Sequence, residues 1–152
     1  MEDFRRELQQ KSGNLKVSEH PAYHMWLSTR DMARIGLLML RQGKWRGAQV
    51  VPGDWVRKIT SPVTRNTEMN PVGLRNGRWG YGCLWWVYDG PAAQGAYEGG
   101  YSGQGAGGQY ITVLPKIKLV VAHKTNIARS KAVASRDYFD LVDLIVKARL
   151  KI

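Results

Sequence analysis

The chain has 152 residues, the length of one ordinary domain or of a piece of a larger one, and 43% of them are apolar, which suits a packed core and argues against disorder. A formal charge of +11 attracts polyanions, but the basic residues are scattered, which argues against a nucleic-acid footprint and for a soluble basic surface or one that meets the rest of a larger protein. One cysteine, Cys83, excludes an intrachain disulfide and a cysteine-rich zinc site, and no apolar run approaches the ~20 residues needed to span a bilayer.

Residues Met1 to Tyr23 are polar and broken by Gly13 and Pro21, and read as an irregular lead-in. A self-contained domain seldom starts with so little pattern. Ser28-Thr29-Arg30-Asp31 then opens a helix: Ser28 can cap free backbone N–H groups and Asp31 suits the first turn. Met32, Ile35, Gly36 and Met39 share one face at helical spacing. Gly43 is the expected left-handed stop, and Arg41, Lys44 and Arg46 place cations near the helix C-terminus. Gly47 marks a turn and Val50-Val51 an extended piece. Pro52 begins a second helix, Gly53 to Ile59.

Ser61 to Gly77 is a long polar loop, and connections of that length are usually functional or mobile. Tyr81 to Tyr88 reads as one aromatic-rich strand, with Cys83 a small core residue inside it. Asp89-Gly90-Pro91 turns the chain. Of the 17 glycines, seven fall between Gly95 and Gly108. Gln109 to Leu114 and Lys118 to His123 are strands, joined so closely through Pro115-Lys116-Ile117 that they must run antiparallel. The last element, Ser130 to Leu150, is a helix with Val133, Tyr138, Leu141, Val142, Ile145 and Ala148 on its apolar stripe. The fold class is α+β, an antiparallel sheet with packed helices, over 1–152 as a single domain or fragment.

Other chemistry is weighed and set aside. His20 and His24 are four apart, but Pro21 opposes a shared helix face, so no metal site is expected. Gly103-x-Gly105-x-x-Gly108 matches the dinucleotide fingerprint in letters only, since it runs into a strand and not a helix. Among Trp79, Trp85 and Trp86, the adjacent pair should point to opposite sides, so at most one of the two lines a cleft.

Several segments together resemble one family. Leu27-Ser28-Thr29-Arg30-Asp31-Met32-Ala33-Arg34 is similar to a helix start of the class C β-lactamase-like and penicillin-binding-protein-like serine hydrolases. Tyr81-Gly82-Cys83-Leu84-Trp85-Trp86 resembles their Y-G-x-x-W-W element. Gly105 to Ile111, Val113-Leu114-Pro115 and Leu119-Val120-Val121 resemble their glycine-rich sheet signature. The resemblance implies acyl transfer to water from an amide, lactam or ester, by a Ser activated by a Lys one helical turn later and assisted by a Tyr-x-Asn element.

Neither element is found in this chain. After Ser12, Ser18, Ser28, Ser61, Ser102, Ser130 and Ser135 the residue three places on is never Lys, and no Tyr is followed two residues later by Asn. In the family both precede the matched region, so the chain is expected to be a C-terminal portion, without catalytic residues of its own and inactive alone. The third family element, Lys-Thr-Gly or a variant, falls on Tyr101-Ser102-Gly103. The resemblance thus gives a substrate-binding stretch of Tyr101, Ser102, Gly103, Gln104 and Gly105, with the N–H of Gln104 or Gly105 donating to an oxyanion. Tyr in place of Lys is closer to the family's esterase and amidase branches. Lys124-Thr125-Asn126 imitates the motif but reads as a strand exit. No cofactor or metal is implied. The implied partners are a small-molecule or peptide-like substrate of the full-length protein and a second copy meeting through exposed apolar surface. A basic polyanion-binding module is the alternative class of function. Localisation is not legible, though members of the family are often periplasmic or secreted.

Overall fold

A computed structural model describes residues 6–14, 16–20, 22–126 and 132–151. Ser28 sets the start of the first helix, α1 (Thr29–Leu40): its side chain accepts a hydrogen bond from the Asp31 N–H at 3.0 Å. The helix ends in a Schellman turn, with the Gln42 N–H on the Met39 carbonyl at 3.0 Å and the Gly43 N–H on the Leu38 carbonyl at 2.9 Å. The first left-handed residue is therefore Gln42 (φ 51°), one place before the glycine expected to fill that role. Gly43 is needed for another reason: a Cβ there would sit 1.9 Å from the Val51 carbonyl oxygen.

Two small antiparallel pairs flank α1. In the lead-in, β1 (Gln10–Ser12) pairs with β2 (Ala22–His24), so the segment expected to be irregular carries a ladder. Its residues do not alternate in polarity, which is why the pairing left no pattern to read. After the helix, β3 (Lys44–Trp45) pairs with β4 (Ala48–Gln49) across Arg46 and Gly47, both at positive φ as a tight hairpin turn requires. The extended pair falls on Ala48-Gln49; Val50 and Val51 follow it and donate to the Gly43 carbonyl. Helix α2 (Gly53–Ile59) has the expected bounds.

The main sheet contains β5 (Trp79–Tyr81), β6 (Trp86–Tyr88), β7 (Tyr101–Gly105), β8 (Gln109–Leu114) and β9 (Leu119–His123), hydrogen-bonded in that order and antiparallel throughout. Tyr81 to Tyr88, expected as one strand, is a hairpin. The end of α2 causes the break: the Ile59 carbonyl takes the Cys83 N–H at 3.0 Å and lies 2.4 Å from any Cβ at Gly82. Leu84 turns the chain at φ 65°, and Cys83 is exposed at the tip, not in the core.

Helix α3 spans Ser135–Leu150. Its expected start at Ser130 and Lys131 lies outside the described residues, and Ala132–Ala134 are not helical. Here the chain is held against the end of the sheet, with the Val133 nitrogen 3.0 Å from the Cβ position of Gly108 and its carbonyl accepting from the Tyr110 hydroxyl at 3.4 Å.

The two long helices cover opposite faces of the sheet. Met39 of α1 and Val56 of α2 pack on Val87, Tyr101 and Val113. On the other face Tyr138, Phe139, Val142 and Val146 of α3 pack on Tyr88, Tyr110 and Leu114. Strand alternation turns Ser102 and Thr112 toward α3. There Tyr138 donates to Thr112 Oγ1 at 2.8 Å, and the Thr112 and Ser102 hydroxyls bond at 2.9 Å, so a chain of buried hydroxyls ties β7 to the helix. Burial pushes the Tyr138 phenol up to about 12.

Candidate functional site

Strand β7 holds all five residues expected to bind substrate, and it presents them unequally. The Tyr101 ring is buried on the α1 face, edge-on to Trp85 at 5.2 Å, and its hydroxyl has no partner among the described residues. Burial raises its phenol above the ordinary range. Ser102 is fully buried and its hydroxyl is spent on Thr112. Neither side chain reaches the surface. Gly103 and Gln104 are half-buried and Gly105 is exposed, so the accessible part of the stretch is its second half.

That half has an open edge. β8 pairs with β7 over the whole of Tyr101–Gly105, whereas β6 pairs only with Tyr101 and Ser102. The backbone of Gly103 to Gly105 is thus laddered on one side and free of β6 on the other. The Tyr88 N–H bonds the Gly100 carbonyl at 2.9 Å on the β6 side. Because strand residues alternate, the amides of Ser102 and Gln104 also point to that side, and the Gln104 N–H lies where β6 has ended. Gly103 leaves room for the Trp85 ring, which a Cβ there would approach to 3.3 Å.

The turn that closes β7 onto β8 uses Gly107 (φ 75°) and Gly108 (φ 92°). It is pinned from β9 and beyond: His123 Nδ1 lies 2.9 Å from the Gly108 carbonyl, the Thr125 hydroxyl donates to the Gly107 carbonyl, and Gln109 donates to the Thr125 carbonyl at 3.1 Å. Lys124 donates to the Leu27 carbonyl just before α1. The Lys124-Thr125-Asn126 stretch is therefore a strand exit that braces the glycine turn.

A second feature was not named from the sequence. Met69, Leu74, Tyr81 and Trp86, with Glu68 and Asn70, line an open cleft of about 350 Å³ beside the β5–β6 hairpin. The long polar loop forms its outer wall and is held in place by Asp89 at the end of β6. The Asp89 carboxylate accepts the Asn66 N–H at 2.8 Å and the Arg65 guanidinium at 3.0 Å. Burial alone would raise this carboxyl; the N–H groups of Asn66 and Gly90 and the Arg65 guanidinium outweigh it and hold it below the usual carboxylate range. Trp85 and Trp86 diverge as expected, Trp86 to the cleft and Trp85 onto Gly103. The loop's length was the only sign of the cleft in the sequence, because Glu68 and Asn70 come to line it with Trp86 only through the fold.

Comparison with known proteins agrees with this fold. A family model described as Beta-lactamase matches residues 2–144. An uncharacterized protein of Alkalihalophilus pseudofirmus is 29% identical over 118 residues, covering 73% of this chain and 33% of that protein. The solved structure of a candidate 6-aminohexanoate-dimer hydrolase from Bacillus anthracis superposes with a TM-score of 0.59 at 22% identity, over 85% of this chain and 29% of that one. The chain thus spans about a third of the length of these relatives. With the matched segments in order along nearly its whole length, the chain belongs to the beta-lactamase family.

Proposed function

We propose that this chain forms the sheet wall of a beta-lactamase-like serine hydrolase site, and that its nucleophile is furnished by sequence outside Met1–Ile152. The open edge of Gly103 to Gly105 carries this reading. A substrate laid along that edge meets backbone and no Cβ at Gly103 and Gly105, and the Gln104 N–H is placed to donate to an oxyanion formed at its carbonyl. Tyr101 and Ser102 act from behind, holding the strand in the core. The chain encodes neither Ser-x-x-Lys nor Tyr-x-Asn, and Ser102 is spent on Thr112, so acyl transfer needs a hydroxyl and a base from elsewhere.

The test is hydrolysis of nitrocefin and p-nitrophenyl esters by the pure chain, alone and mixed with the Ser-x-x-Lys-bearing portion of a relative. The chain alone is expected to be inactive and the mixture active. In the mixture, Gln104→Pro removes the N–H and is expected to cost roughly 100-fold in rate. Gln104→Ala keeps the N–H and should retain most of the activity. Turnover by the chain alone, or a harmless Gln104→Pro, would sink the reading.

A further inference from the structure

We propose that the corner formed by the end of α1, the β3–β4 hairpin and α2 is a docking surface for an anionic lipid bilayer. It stands apart from the hydrolase reading and uses none of its residues. Five cationic side chains and one carboxylate fall between Arg41 and Lys58, against 23 and 12 in the whole chain, so the positive surplus is denser here than in the chain at large. The fold gathers them. Gln49 donates to the Gln42 carbonyl at 2.7 Å, which ties the hairpin to the helix end. The Gln42 carbonyl and the Arg57 guanidinium each lie 3.5 Å from the Cβ position of Gly53, so α2 starts against that same helix end.

Arg41, Lys44, Arg46, Arg57 and Lys58 are all exposed. Arg57 is paired with Asp54; Arg41, Lys44 and Arg46 have no carboxylate partner among the described residues. A bilayer rich in anionic headgroups complements this charge, each cation near its surface adding to the attraction.

Charge alone suits any polyanion, and two apolar side chains decide for a bilayer. Trp55 is 50% exposed and Val50 58%, on either side of Pro52. Lys58 follows Trp55 by three residues on α2, with its Nζ 5.4 Å from the centre of the indole ring. An indole and an aliphatic group set among cations match the boundary layer of a membrane. There the ring sits at headgroup depth, the lysine stem lies along apolar surface and the ammonium reaches lipid phosphates. A polyanion dissolved in water gains from the cations but not from Val50.

The test is flotation of the pure chain with vesicles of phosphatidylcholine and phosphatidylglycerol, and with vesicles of phosphatidylcholine alone, at about 0.1 M salt, where screening acts over about 10 Å. The chain is expected to float with the first and not with the second. Lys44→Gln with Arg46→Asn removes two cations of the corner, and asparagine tolerates the left-handed backbone at residue 46 (φ 48°). At about fivefold for each cation, this pair should weaken binding roughly 25-fold. Arg136→Gln with Arg149→Gln takes the same charge from exposed positions on α3 and should weaken it by less than about threefold. Trp55→Ala, checked for folding by circular dichroism, should weaken binding at least about fivefold. No flotation with the phosphatidylglycerol vesicles, or equal losses from the two paired variants, overturns the proposal. So does full binding by Trp55→Ala, which would make the corner a patch for polyanions in general.

Discussion

Gly36 shows how a single residue ties a helix to the sheet. A Cβ there would lie 2.5 Å from Val120 Cγ1 and 3.0 Å from Ile111 Cγ2, so α1 approaches β8 and β9 only because no side chain intervenes. Ala in a helix interior is ordinarily better than Gly by roughly 0.5–1 kcal/mol. Overpacking a filled core costs about 1–3 kcal/mol and should win. Gly36→Ala is therefore expected to lower stability by about 1 kcal/mol in urea unfolding, the reverse of the usual helix effect. At this scale the sequence was informative where the chemistry is local. Ser28 caps its helix because the donor it serves is three residues away. Cys83 was misplaced because its position depends on Ile59, which takes its N–H from a different element.

Among the elements, the long loop owes its place to Asp89. Its carboxyl is held below the usual range, so its contribution is present above the unfolded-state value near 3.9 and is lost as pH falls through the lower folded-state value. Asp89→Asn is expected to cost about 2 kcal/mol at neutral pH, the scale of hydrogen bonds to a charged group. The difference between the two proteins should shrink as pH drops below ~4. Urea unfolding of both across that range checks the sign; a gap that widens on acidification would contradict it. The first two helices were the most legible elements, because α1 carries its cap and periodicity and α2 its leading proline within their own sequence. The β5–β6 hairpin was not, because a run of aromatic residues marks extended structure equally well with or without a turn. Tyr101 to Gly105, the stretch expected to bind substrate, forms β7 inside what read only as a glycine-rich segment. That Tyr101 and Ser102 are both buried followed from helices covering both faces of the sheet, and that the edge of Gly103 to Gly105 is open followed from the length of β6.

For the whole molecule, charge is the dominant long-range feature. With 23 basic against 12 acidic side chains, the folded chain holds like charges closer together than the unfolded one does. Salt screens that repulsion over about 10 Å at 0.1 M. The melting temperature is therefore expected to rise by a few degrees between low and moderate sodium chloride, measured by circular dichroism. A fall would mean that the ion pairs, such as Arg65 with Asp89 and Lys116 with Glu98, outweigh the surplus. The sequence by itself determined the α+β class, the starts of α1 and α2 and the family, since each rests on residues near one another along the chain. The tertiary structure alone decided which residues of β7 are accessible, where the aromatic run breaks, and that Glu68 and Trp86 line one cleft. Those outcomes depend on which elements pack together, and packing joins residues whose separation along the chain carries no sign of their contact.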